Sequence, residues 1–309
     1  MFTPELKFGL PCLAAALSCY DADSRFDAAN ALFGRYPFSS TGHGGTELPN
    51  PRSFRISDLM ALSFAAIILA VFEFLHHAEF PADGRRFLAA LAITAGFALL
   101  AWLAGGVNIS GSLAGSAVAF IMAVRDLRMF LALLIVFAVT LVATRVGYAR
   151  KQQLRTAEPA GGRTAAQAMA NLGIAALVVA IAPAGWPVLA LAALAEAAAD
   201  TSSSEIGMAF PGKTLLITNF KSVPAGTDGG LSLFGTIAAL AGAAAIALVA
   251  GVTGLAPVRQ LAIIILAGFL GTLVDSLLGA IFERRGWLDN DLVNLLSTAA
   301  SVGIAWGFV

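Results

Sequence analysis

Cysteine and histidine are nearly absent: Cys12 and Cys19 stand alone near the start, and the histidines are limited to His43, His76 and His77. Two cysteines rule out a disulfide framework, and their distance from the histidines leaves no zinc-binding spacing. Charge is also scarce. Asp, Glu, Lys and Arg make up 12% of the chain, against about 25% in soluble domains. The formal net charge is zero, and no basic patch interleaved with aromatics points to nucleic acid. Apolar residues fill the space that charge leaves: 58% of the chain is hydrophobic and its mean hydropathy is +0.82. That places the chain outside the soluble class and among polytopic membrane proteins.

The expected fold is an all-α, polytopic transmembrane helical bundle of about 8–9 spans, some of them short or broken. The apolar runs predict spans over roughly 57–76, 86–107, 109–124, 128–148, 164–183, 186–203, 231–254, 260–282 and 290–308. The second and third lie close enough to form a hairpin or one broken helix. Two domains follow. Residues 1–56 form an N-terminal segment, whose run Leu10–Leu17 is read as an interfacial helix ahead of a Gly/Pro/Ser/Asn-rich loop, with a signal segment or a first span as alternatives. Residues 57–309 form the transmembrane catalytic domain.

Basic residues set the orientation. Arg145, Arg150, Lys151, Arg155 and Arg163 crowd the segment after the fourth span, opposed by Glu158 alone. With that segment cytoplasmic, Lys213, Lys221, Arg284 and Arg285 share its side. Arg150, Lys151 and Arg155 read as a topology signal and as lipid-headgroup contacts. The expected location is the bacterial inner (plasma) membrane, with any site facing the cytoplasm.

Three polar clusters interrupt the apolar sequence on that side. In the first, Glu196 and Asp200 share a helix face, while Glu205 lies about 140° round from Asp200 on an unbroken helix. Joint use of Asp200 and Glu205 therefore calls for a helix end or bend between them. An acid at mid-span costs about 2.5–3.5 kcal/mol on insertion scales, so it normally faces protein, water or an ion. The second cluster runs from Lys221 to Gly230. Its glycines Gly226, Gly229 and Gly230, entering the seventh span, would leave backbone N–H groups for an anion, with Lys221 adding charge; they equally suit a simple turn. The third cluster joins Asp275 to a stripe of Asn290, Asn294 and Ser297, which serves helix pairing as readily as substrate contact. Carboxylates beside phosphate-cradling groups suit a Mg²⁺-bridged polyphosphate, since Mg²⁺ commonly takes one or two carboxylates plus substrate phosphates. Ion-coupled carriers place acids and broken helices in the membrane too.

The motifs Ala199-Asp-Thr-Ser-Ser-Ser-Glu-Ile-Gly207, Val223-Pro-Ala-Gly-Thr-Asp-Gly-Gly230 and Val274-Asp-Ser-Leu-Leu-Gly-Ala280 resemble those of the integral membrane family that includes plant phytyl-phosphate kinase. Arg163, Gln167-Ala-Met-Ala-Asn171 and Asn290-Asp-Leu-Val-Asn294 resemble that family as well. The resemblance covers roughly residues 100–309. Ser202 departs from it, standing where the family carries an aromatic. The order of motifs is also similar to dolichol and phytol kinases and to CTP-dependent phosphatidate cytidylyltransferases. The resemblance implies a membrane prenyl-phosphate kinase that passes the terminal phosphate of CTP, or of ATP, to an isoprenyl monophosphate such as phytyl or geranylgeranyl phosphate. On that reading Asp200, Glu205, Asp228 and Asp275 hold Mg²⁺. Lys221, Gly226, Thr227, Gly229 and Gly230 cradle the nucleotide phosphates, and Asn171, Asn290 and Asn294 order the pocket. The partners are the prenyl phosphate, the nucleotide and membrane lipid, with an oligomer compatible. A transporter of a small anion or lipid, and a lipid-phosphate cytidylyltransferase, are the alternatives.

Overall fold

A computed structural model of the chain describes residues 59, 61–69, 84–158 and 161–309. The expected N-terminal interfacial helix and polar loop lie outside the described residues. A helical run at 61–69 falls in the first expected span. It is followed by α1 (Gly84–Leu103), α2 (Ile109–Arg125), α3 (Leu127–Arg145), α4 (Tyr148–Leu154), α5 (Ala165–Ile181) and α6 (Trp186–Ala209). Three short strands come next: β1 (Thr214–Leu216), β2 (Ser222–Val223) and β3 (Gly230–Ser232). Helices α7 (Leu233–Thr253), α8 (Val258–Ile281) and α9 (Asn290–Trp306) complete the chain, with a 3₁₀ turn at Glu283–Arg285.

Side-chain caps set where these helices start. Asn108 accepts from Gly111 N at 2.8 Å, Asp126 from Arg128 N at 2.9 Å, and Asp289 from Leu292 N at 2.9 Å. Thr164 and Gln167 form a reciprocal capping box at the start of α5. Each of these satisfies N–H groups that a helix start leaves open. Asp126 ends α2 and begins α3. The expected second and third spans form a hairpin, turned at Gly105 in a left-handed conformation (φ +71°).

Among the described residues, three helices are long and apolar enough to cross a membrane: α3, α7, and α8 with its 3₁₀ extension. The stretches Phe87–Leu103, Ile109–Arg125 and Ala165–Ile181 are apolar but shorter. The expected 8–9 spans thus reduce, on length and composition, to these three and the shorter helices. α6 differs in kind. It packs against α3, α4, α5, α7, α8 and α9, and every residue from Val188 to Ala199 is buried. Its alanine-rich sequence lets neighbours come close: a Cβ on Gly242 of α7 would fall 2.7 Å from Ala198 O, and one on Gly268 of α8 would fall 2.8 Å from Ala195 Cβ. Small residues at such crossings bring helix backbones together where lipid offers no hydrophobic drive.

The all-α expectation needs one correction. Residues 214–232 form an antiparallel three-stranded sheet in the order β2-β1-β3, with Thr214 opposite Val223 and Ser232, and Leu216 opposite Gly230. Strands this short carry little periodic signal, and pairing with their own neighbours satisfies backbone that has left the helices. The glycines of this segment accordingly do not stand at a helix N-terminus. Ser232 caps α7, accepting from Gly235 N at 3.1 Å, while Gly230 N donates to Thr227 O at 2.8 Å. Gly229 has φ +75°, and a Cβ there would lie 2.4 Å from Ala280 Cβ and 2.5 Å from Ser276 O on α8. Gly229→Ala is expected to destabilise the fold by about 1–3 kcal/mol through strain and overpacking against backbone, seen as a lower melting temperature in detergent.

The chain reversals collect at two ends. One end carries the turn at Gly105, α4, the start of α5, the sheet and the start of α9. The other carries Asp126, Arg128, whose Nη1 donates to Thr253 O at 3.3 Å, and Arg125 stacked on the Trp186 ring at 5.5 Å.

Candidate active site

The end holding α4 and the sheet contains a cavity of about 340 Å³. α6 contributes Asp200, Thr201, Ser204, Glu205 and Met208 to its lining. These positions form one broad helical stripe, which corrects the expected need for a bend: α6 runs unbroken to Ala209 and both acids still reach the cavity. α5 adds Gln167 and Asn171, and α9 adds Asn290 and Asn294. The segment Arg155–Glu158 and Arg163 close the remaining side.

The first turns of α5 and α9 carry two of those amides, at Gln167 and Asn290, with Asn171 and Asn294 one turn further along the same helices. A helix start presents positive potential to an anion. Two N-terminal turns therefore face a cavity that also holds arginine and aspartate. Asn171 Nδ2 donates to Gln167 O at 3.0 Å. Arg163 is fixed by its backbone, its N donating to Gly106 O at 3.1 Å and its O accepting from Asn108 N at 3.0 Å. Its side chain pairs with Glu158 at 3.8 Å, and its charge acts on Asp200.

Behind Asp200 the acids continue into the bundle. Asp275 of α8 lies close enough to Asp200 for each charge to act on the other. Glu196, one turn deeper on α6, reaches Ser297 and is 1% exposed. Asp275 Oδ2 and Glu196 Oε1 are buried without a hydrogen-bond partner. A polar atom orphaned in this way is costly unless a proton or an ion answers it. Asp200 and Asp275 together supply the one or two carboxylates that Mg²⁺ commonly takes. Among the described residues no three of His, Cys, Asp and Glu are gathered as a metal-holding group.

Several predicted site residues therefore come together here: Asp200, Glu205, Asn171, Asn290 and Asn294 line the cavity, and Asp275 backs it. Others do not. Lys221 is exposed next to β2, and Thr227 Oγ1 donates to Pro224 O at 2.8 Å. Asp228 and Glu283 flank Gly279 of α8 outside the cavity lining, and the Glu283 charge acts on both Asp228 and Asp200. Gly229 and Gly230 pack as described above. Gly226 comes nearest, since a Cβ there would lie 2.8 Å from Thr156 Cγ2 and 3.3 Å from Met208 Sδ on the cavity rim.

Lys151 was assigned to the lipid headgroups, but the structure buries it completely. Its Nζ donates to Ala143 O at 3.1 Å and Thr144 O at 2.6 Å, and it forms an ion pair with Glu205. The last turn of α3 and a cavity acid on α6 thus share one cation. No local signal separates Lys151 from Arg150. Only the packing of α4 on α6 turns one inward, while the other reaches across to Met208 O at 3.1 Å.

With this geometry in place, residues 92–302 match the family model described as integral membrane protein DUF92. The chain belongs to that integral membrane family. It is 36% identical over 172 residues to the uncharacterized membrane protein MJ0933 of Methanocaldococcus jannaschii, covering 54% of this chain and 70% of that one. Identity to Protein PGR of Arabidopsis thaliana is 32% over 232 residues, covering 65% of this chain and 81% of that protein. A shorter match, 41% over 101 residues, joins it to Protein VTE6, chloroplastic, of the same plant, across 32% of this chain and 30% of that one. No solved structure matches.

Proposed function

We propose that this integral membrane protein is a prenyl-phosphate kinase that transfers the terminal phosphate of a nucleoside triphosphate, CTP in preference to ATP, to an isoprenyl monophosphate. The single observation that carries the reading is the cavity in which Asp200, backed by Asp275, meets Arg163 and the amides of Asn171, Asn290 and Asn294. The motif resemblance to the family that includes plant phytyl-phosphate kinase supports it, as does the match to the family model. Basic residues crowd the cavity end of the bundle, which favours a cytoplasmic face in a plasma membrane and so access to soluble nucleotide.

An oxygen of the lipid phosphate attacks the γ-phosphorus of the nucleotide. A new P–O bond forms as the bond to the β,γ-bridging oxygen breaks, and the nucleoside diphosphate leaves with that electron pair. The acceptor is already an anion, so no strong base is required, and positioning with charge neutralisation does most of the catalysis. Asp200 and Asp275 would hold Mg²⁺, which when bound neutralises charge on the transferring phosphates. Arg163 draws the polyphosphate to the cavity, while Asn171, Asn290 and Asn294 donate amide hydrogen bonds that orient it. Glu205, already matched by Lys151, has less charge to offer a metal than Asp200.

One observation favours a carrier as the second reading: Glu196 lies midway along α6 with Oε1 unpartnered, the kind of intramembrane acid that ion pathways use. Purified protein incubated with Mg²⁺, γ-labelled CTP or ATP, and phytyl or geranylgeranyl monophosphate separates the two. Label in a prenyl diphosphate is the expected result. Transfer of CMP instead would indicate a cytidylyltransferase, and no covalent product from any chain length would leave the carrier.

A further inference from the structure

Five basic residues surround the cavity end between α3 and α5, and four of them are already engaged by the protein. Arg145 Nη2 donates to Ala104 O at 2.9 Å. Arg150 Nε donates to Met208 O at 3.1 Å. Lys151 spends its ammonium on Glu205 and two carbonyls, and Arg163 pairs with Glu158 at 3.8 Å. Arg155 alone has no side-chain hydrogen bond or ion pair among the described residues, yet it lines the cavity.

Its backbone is equally unusual. Arg155 ends α4 in the left-handed region, at φ 59° and ψ 30°. Glycine is the common residue at such a helix end, and asparagine the next. Elsewhere the left-handed caps are glycines at Gly254 and Gly286 and an alanine at Ala182, which ends α5. Here an arginine bears the strain, with its N–H donating to Gln152 O and Lys151 O. A strained left-handed position at a cavity wall, filled by a long charged side chain instead of glycine, points to a use for that side chain. The fork of a guanidinium matches two oxygens of one phosphate.

We propose that Arg155 is the phosphate-gripping residue of this cavity, binding a phosphate dianion carried by a nucleotide or by a lipid monophosphate. The inference deepens the kinase reading, but the binding it describes stands without any transfer. Turning α4 inward at Lys151 fixes the helix end. The left-handed cap then carries the chain into Thr156–Glu158 along the cavity wall. Arg155 is exposed and lines the same cavity as Asp200, so a phosphate bound there can meet the guanidinium while Asp200 serves the ion it would hold.

The test compares Arg155→Gly, Arg155→Asn and Arg155→Lys with the parent in detergent. Binding of Mg-CTP, Mg-ATP and geranylgeranyl monophosphate is measured by thermal stabilisation and by titration. Glycine and asparagine both suit the backbone, so those variants are expected to melt no lower than the parent while losing at least about tenfold in affinity for one ligand. Lysine should recover part of the loss. Weakening confined to the nucleotides assigns the grip to the donor, and weakening confined to the prenyl phosphate assigns it to the acceptor; either supports the inference. Undiminished affinity for all three ligands in both Arg155→Gly and Arg155→Asn overturns it, as does a parent protein that binds none of them. Binding lost in these variants of a parent that transfers no phosphate would uphold Arg155 and sink the kinase.

Discussion

Asp200→Asn is expected to lower phosphoryl transfer by about 100-fold or more while leaving the protein folded. Asparagine keeps the size of the side chain, so the cavity wall stands. What it removes is a negative charge at the point where Asp200 faces Arg163 and is backed by Asp275. Loss of one well-placed electrostatic partner commonly costs about 10²–10³ in rate. The loss should fall chiefly on kcat, with the Mg²⁺ concentration for half-maximal rate raised in whatever activity remains. Asp228→Asn is the internal comparison. Asp228 lies beside Gly279 and Glu283 rather than along the cavity, so its effect should be the smaller by a wide margin. Rates measured across a Mg²⁺ series on both variants decide the matter. Parent-like transfer by Asp200→Asn would remove Asp200 from the metal site, and a larger loss in Asp228→Asn would move that site towards Gly279 and Glu283.

The contrast between those two acids also marks how far the sequence could be read. Helix positions were legible because apolar runs of this length have few other uses, and the observed α3, α5, α7, α8 and α9 start or end within a few residues of the expected spans. Asp200, Asn171, Asn290 and Asn294 were legible as polar residues at positions where the membrane penalises them. The second cluster allows two readings. A run of glycines ahead of a span suits an anion cradle, and it suits equally a turn pressed against a neighbouring helix. The approach of Gly229 to Ser276 and Ala280 gives that glycine a packing reason of its own. Lys151 was missed for the complementary reason. A basic residue in a basic segment is ordinary by composition, and which one faces inward depends on how a seven-residue helix seats on α6. Local pattern tells which residues are unusual, whereas their partners come from elements far apart in the chain.

Lys151→Met is expected to have the largest effect on stability of any single substitution here, about 3–5 kcal/mol. Nothing of the Lys151 side chain reaches solvent, and its partner Glu205 is 7% exposed. Methionine fills much of the volume but withdraws the cation from Glu205 and the donors from Ala143 O and Thr144 O. An uncompensated carboxylate is then left in the wall, and two carbonyls at the end of α3 lose a partner. Removing the acid as well separates these costs. In Lys151→Met with Glu205→Gln no buried charge is stranded, so most of the lost stability should return, short of the share due to the α3 carbonyls. Unfolding in detergent, followed by temperature or denaturant for the two single variants and the double, gives the coupling energy directly. Full additivity would mean that Lys151 supports α3 alone. Strong coupling would mean that the pair joins α3 and α4 to the stripe of α6, and so holds the wall that Asp200 and Glu205 line.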